Sequence, residues 1–97
     1  MYISPYNCHF DATLMSLSPK LYGTSWCWLT NGFDNYLQTI GVKFERLDVE
    51  QDPDAEAIIR NLFNGDLKFP VLIIYDTVLK NPTLQELNRA LNDAELL

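Results

Sequence analysis

The run Val71-Leu72-Ile73-Ile74-Tyr75, opened by Pro70, restricts the fold more than any other stretch of the chain. No polar residue alternates with the apolar ones, so the run reads as a strand covered on both faces. Such a strand lies inside a sheet with helices above and below it, which points to α/β layers. A proline suits the first position, where its missing N–H does no harm.

The remaining pattern fits around that strand. Lys20 to Gly23 reads as a short buried strand. Leu29, Phe33, Tyr36, Leu37 and Ile40 recur at helical spacing, and Gly41 stands where a helix-ending glycine belongs. Gly32 inside that helix costs roughly 1 kcal/mol against alanine, so tertiary packing is expected to hold this turn. Val42 to Val49 predicts a second strand. Asp52-Pro53 supplies an N-cap and first-turn proline for a helix with Ile58, Ile59, Leu62 and Phe63 on one side, and Asn64-Gly65 ends it. Asp76-Thr77 turns into a short edge strand, Val78 to Lys80. Thr83 and Glu86 then make a capping box for a last helix with Leu84, Leu87 and Leu91 buried. The order is β-α-β-α-β-β-α, giving one domain over residues 19–97. Residues 1–18, broken by Pro5, Asn7 and Pro19 just after them, form an N-terminal extension that holds either a short helix over 11–17 or a loose segment.

Ninety-seven residues are enough for one core without metal or disulfide staples. The net charge of −6, with the seven basic residues scattered singly, argues against nucleic acid as a partner. No apolar run is long enough to cross a membrane and the N-terminus lacks a signal-peptide pattern, so a cytoplasmic location is expected. The two cysteines, Cys8 and Cys27, are nineteen positions apart, which is neither a disulfide framework nor a zinc spacing. His9 has no second ligand nearby, and no metal is expected.

Cys27 stands where the first strand breaks into a loop before a helix. Unpaired amides and the helix dipole favour thiolate there, and the thiolate is the nucleophile. The bland alternative is a small buried hydrophobe, since free cysteine is often buried.

Four local patterns carry a resemblance: Tyr22-Gly23-Thr24-Ser25-Trp26-Cys27, Leu47-Asp48-Val49-Glu50-Gln51-Asp52-Pro53, Asn64-Gly65 followed by Phe69-Pro70, and Asn81-Pro82-Thr83. Together they resemble the glutaredoxin branch of the thioredoxin fold, and most closely the mycoredoxin and mycoredoxin-like proteins. The resemblance implies a three-layer fold, with a four-stranded mixed sheet in order 2-1-3-4, its first two strands parallel, and helices on both faces. It implies thiol–disulfide exchange on mixed disulfides between proteins and a small thiol, with glutathione or mycothiol as co-substrate, carried out by a monomer. Cys27 would be the nucleophile, its thiolate stabilised by Thr30 and the first-turn amides. Pro70 would be cis, with Phe69 offering its backbone to the substrate; an ordinary trans proline is the alternative.

The same likeness suggests that Lys68 pairs with a ligand carboxylate or is simply solvated, and that Asp76 and Thr77 occupy the segment that seats the small thiol. Trp26 and Trp28, with Tyr22, would form an aromatic wall that binds an apolar surface or merely packs. Cys8 reads as an incidental cysteine rather than a resolving one. The chain departs from the family in having Thr30 where dithiol members have a second cysteine. It also has no basic residue in the first helical turns, so thiolate stabilisation is expected to rest on the helix terminus alone. Two other readings stay open: a redox-silent binding module, and a [2Fe–2S] carrier in which two chains each supply Cys27.

Overall fold

A computed structural model describes residues 18–97, so the expectations for the N-terminal extension and Cys8 lie outside the described residues. Four strands, β1 (Lys20–Gly23), β2 (Glu45–Asp48), β3 (Val71–Ile74) and β4 (Thr77–Lys80), alternate with three helices. These helices are α1 (Trp28–Thr39), α2 (Pro53–Leu62) and α3 (Leu84–Asp93). The sheet order is β2-β1-β3-β4, with β1 parallel to β2 and antiparallel to β3, and β4 antiparallel to β3. This is the mixed four-stranded sheet of the thioredoxin-like fold.

Alternation along the central strands divides the interior in two. Leu21, Leu72 and Ile74 face Phe33 and Leu37 of α1 and Leu87 and Leu91 of α3. Tyr22 and Val71 face the other way, toward Ala55 and Ile59 of α2 and Val49. The unbroken apolar run of β3 is therefore the middle of three layers, with a core on either side.

Local signals account for most boundaries. The Asp52 carboxylate accepts from the N–H groups of Asp54 and Ala55, and Pro53 opens α2. Thr83 and Glu86 close a reciprocal capping box at α3. Gly41 takes a φ of +77° just past α1, and the Val42 N–H returns to the Leu37 carbonyl.

Three expectations are corrected. The strand predicted over 42–49 is only Glu45–Asp48, because the Val42 N–H is used to close α1 rather than to pair in the sheet. The buried face of α2 is Ala55 and Ile59, while Ile58 and Leu62 are 43% and 45% exposed. Leu84, at the first turn of α3, is half exposed rather than buried. Among the described residues no helix is long and apolar enough to cross a membrane.

Candidate active site around Cys27

The site forms at one end of the sheet, where β1 stops and β3 starts. The register pairs Tyr22 with Val71 and Val71 with Lys80, so Gly23, Pro70 and Asn81 all lie at this pole. The Asn81 N–H donates to the Pro70 carbonyl at 2.8 Å, tying the loop after β4 to the proline. The Phe69–Pro70 bond is cis, as the resemblance implied. After Gly23 the chain makes a tight turn, and the Cys27 N–H donates to the Thr24 carbonyl at 3.4 Å. Cys27 is the N-cap residue of α1, with extended backbone, which sets its side chain beside the unpaired amides of the first turn.

Cys27 is 8% exposed. Burial, the largest single influence, raises the thiol pKa. It is outweighed by the Thr30 hydroxyl and the Thr30 and Leu29 N–H groups, which are placed to donate to a thiolate, with a contribution from the Arg46 charge. The net effect holds the thiol below its ordinary value, so more of it is thiolate at neutral pH. Thr30 Oγ1 is wholly buried and has no hydrogen-bond partner among the described residues. A donor left unpaired beside a thiol and satisfied by a thiolate favours ionisation.

Glycine at position 23 makes the Thr30 placement possible. A Cβ there would lie 2.2 Å from Thr30 Oγ1 and 2.3 Å from its Cγ2. The strand and the first turn of α1 thus approach through a glycine, with the Thr30 side chain in the space.

Arg46 was not singled out from the sequence, yet it corrects the expectation that thiolate stabilisation rests on the helix terminus alone. It reaches in from β2 rather than from α1. Its Nη2 donates to the Thr24 carbonyl at 3.1 Å and to Asn31 Oδ1 at 2.7 Å, while Nη1 pairs with Asp34 Oδ2 at 2.7 Å. Asn31 in turn donates to the Ser25 carbonyl at 3.2 Å. One guanidinium therefore braces the loop before Cys27 against the helix after it. The signal was present in strand alternation: Arg46 is opposite Leu21, which faces α1, while Leu47 is opposite Tyr22, which faces α2. Replacing Arg46 by glutamine is expected to move the Cys27 pKa upward and to slow its alkylation at pH 7. The two rates should converge at high pH, where both thiols are fully ionised, and a pH–rate profile with iodoacetamide checks this.

The other sequence candidates divide. The Trp26 ring packs edge-on against Phe69, with centroids 5.6 Å apart, and its Nε1 donates to Glu50 Oε1 at 2.8 Å. Trp26 thus links the cysteine loop to the residue before the proline while staying 65% exposed. Trp28 is 78% exposed and points away from the core. Tyr22 takes no part in the expected wall: it is buried on the α2 side, where burial raises its pKa. Lys68 stands 4.0 Å from Asp66 and is partly exposed.

Asp76 and Thr77 are a correction. Asp76 lies in the β3–β4 turn and Thr77 opens β4, where it pairs with Ile74, while Lys20 at the start of β1 pairs with Ile73. That turn is at the opposite end of the sheet from Cys27. The segment that does return to the site is Asn81-Pro82-Thr83, because the antiparallel hairpin reverses the chain. Among the described residues no group of three or more His, Cys, Asp or Glu side chains could hold a metal ion.

No protein-family model matches the chain, and no curated protein does. Solved structures do match it. A thioredoxin-like protein superposes with a TM-score of 0.67 at 18% identity, over 75% of this chain and 99% of its own. A glutaredoxin from Archaeoglobus fulgidus gives 0.65 at 18% identity, over 91% and 97%. A buckwheat glutaredoxin, in complex with glutathione, gives 0.65 at 14% identity, over 96% and 99%. At these identities the likeness establishes the thioredoxin-like fold of the glutaredoxin type.

Proposed function

We propose that the chain is a monothiol oxidoreductase that reduces mixed disulfides between proteins and a small thiol through Cys27. The observation that carries this reading is the thiol held below its ordinary pKa by the Thr30 hydroxyl, two helix-terminal amides and Arg46 against the opposing effect of burial. Groups converging on one sulfur in this way favour the form that attacks disulfides.

The exchange runs in two balanced steps. The Cys27 thiolate attacks the small-thiol sulfur of a mixed disulfide; that S–S bond breaks, the protein leaves as thiolate, and Cys27 becomes disulfide-bonded to the small thiol. A second small-thiol molecule, as thiolate, then attacks that bond and leaves as part of a symmetric disulfide, returning Cys27. In sum one free small thiol is oxidised into the symmetric disulfide as the protein sulfur is reduced to a thiol. With Thr30 at the fourth position there is no local thiol to intercept the intermediate, which suits a monothiol cycle. Phe69 and cis-Pro70 provide a backbone edge beside the sulfur for the disulfide partner.

The co-substrate is glutathione or mycothiol, and the setting is a cytoplasmic monomer. Glutathione is supported by the bound ligand of the buckwheat relative in fold. The test is turnover: the protein with excess glutathione, and separately with mycothiol, is given a peptide mixed disulfide of the same thiol. Catalytic release of peptide thiol with either is the expected result, and none with both refutes the assignment for these donors. The near-complete cover of Cys27 favours a second reading, a redox-silent binding module of the same fold. It predicts no turnover with any thiol.

A further inference from the structure

Beside the thiol an apolar groove of about 490 Å³ runs between α1 and the start of α3. Trp28, Gly32, Phe33 and Tyr36 form one wall, and Pro82 and Leu84 the other. The first wall begins one residue after Cys27. The second begins one residue after Asn81, which is hydrogen-bonded to the Pro70 carbonyl. The groove therefore opens from the two elements that make the site, so a protein chain whose mixed disulfide is under attack by Cys27 lies at its mouth.

We propose that this groove receives the large apolar side chains flanking the cysteine of a protein disulfide; the inference deepens the exchange reading above and rests on it. Among the described residues its lining carries no charge. Trp28 and Leu84 are 78% and 50% exposed, an uncommon outlay of apolar surface next to a reactive group. Gly32, which the helix carries at a cost in propensity, has nothing within 4 Å of where a Cβ would be, so it leaves the groove floor open rather than serving close packing. From Trp28 to Tyr36 the helix rises about 12 Å, room for roughly three or four residues of extended chain.

The charged groups nearby are poor hosts for an anionic small molecule in this groove. Arg46 is paired with Asp34, and the Glu86 carboxylate already takes the Thr83 N–H at the N-terminus of α3. An apolar polypeptide flank fits the groove better than a charged tripeptide does. Protein segments, rather than the small thiol, would thus set which disulfides Cys27 reaches.

Two decapeptides test this, each with one cysteine disulfide-linked to uncharged mercaptoethanol, one flanked by leucine and phenylalanine and the other by serines. Peptide-thiol release by the full chain is expected to be about tenfold faster for the apolar peptide. Gly32→Gln, which fills the floor and raises helix propensity, should bring the ratio close to one. Equal rates in the wild type, or a ratio that Gly32→Gln leaves intact, overturn the proposal. If neither disulfide reacts, the exchange reading fails, and the groove is judged by the serine-for-cysteine form of the apolar peptide. A chemical-shift change at the Gly32 amide then supports docking, and no change overturns it.

Discussion

Serine in place of Cys27 is expected to abolish turnover of a glutathione mixed disulfide, while Cys8→Ser keeps most of it. Exchange needs a sulfur that ionises near neutral pH, and a serine hydroxyl in the same cradle stays protonated. The fold should be unchanged, because serine is close to isosteric with cysteine and is a preferred residue at the N-cap position that Cys27 holds. Rates of peptide-thiol release under excess glutathione, with circular dichroism to confirm folding, are the measurement. Equal losses in the two variants would mean that Cys8 serves as a resolving thiol. Retention of activity by Cys27→Ser would remove Cys27 from the chemistry altogether.

Gly23→Ala is expected to lower stability and raise the Cys27 pKa together. The added methyl would overlap Thr30 Oγ1 and Cγ2 at 2.2 and 2.3 Å, and Thr30 is wholly buried with no space to retreat into. Either α1 shifts away from β1 or the Thr30 rotamer changes, and overpacking of this kind costs about 1–3 kcal/mol. Both responses move the hydroxyl that favours the thiolate. Thr30→Ala in the same chain removes the two nearest atoms and should recover part of the lost stability, but not the low pKa, because the donor is gone. Denaturant midpoints for the two single variants and the double variant check the coupling. Additive losses would mean that Gly23 and Thr30 do not constrain each other.

Much of the fold could be read from the chain because its punctuation is strong and local. The Asp52-Pro53 start, the Thr83–Glu86 box, Gly41 and the apolar β3 each act within a few residues, and each occurs where expected. Sheet order and the cis proline were accessible only through the family likeness, since neither follows from periodicity. The site was less legible where it depends on pairing across the sheet. Arg46 is far from Cys27 in sequence and reaches it only because β2 runs parallel beside β1. Asp76 and Thr77 were misplaced for the same reason in reverse. A reading along the chain sees them a few residues past Pro70, whereas one strand length carries them to the far pole. Gly32, read as a propensity cost that packing must offset, instead floors an open groove.

The central claim is that the end of β1, the first turn of α1 and Arg46 together activate one thiol. It is tested most directly by the ultraviolet absorbance of the Cys27 thiolate against pH, in a Cys8→Ser background so that only one cysteine reports. The expected midpoint lies below the free-cysteine value of roughly 8.5. That midpoint should move upward in Thr30→Ala and in Arg46→Gln. A wild-type midpoint at or above the free value would contradict it, and would leave a thioredoxin-type scaffold whose cysteine is only a buried side chain.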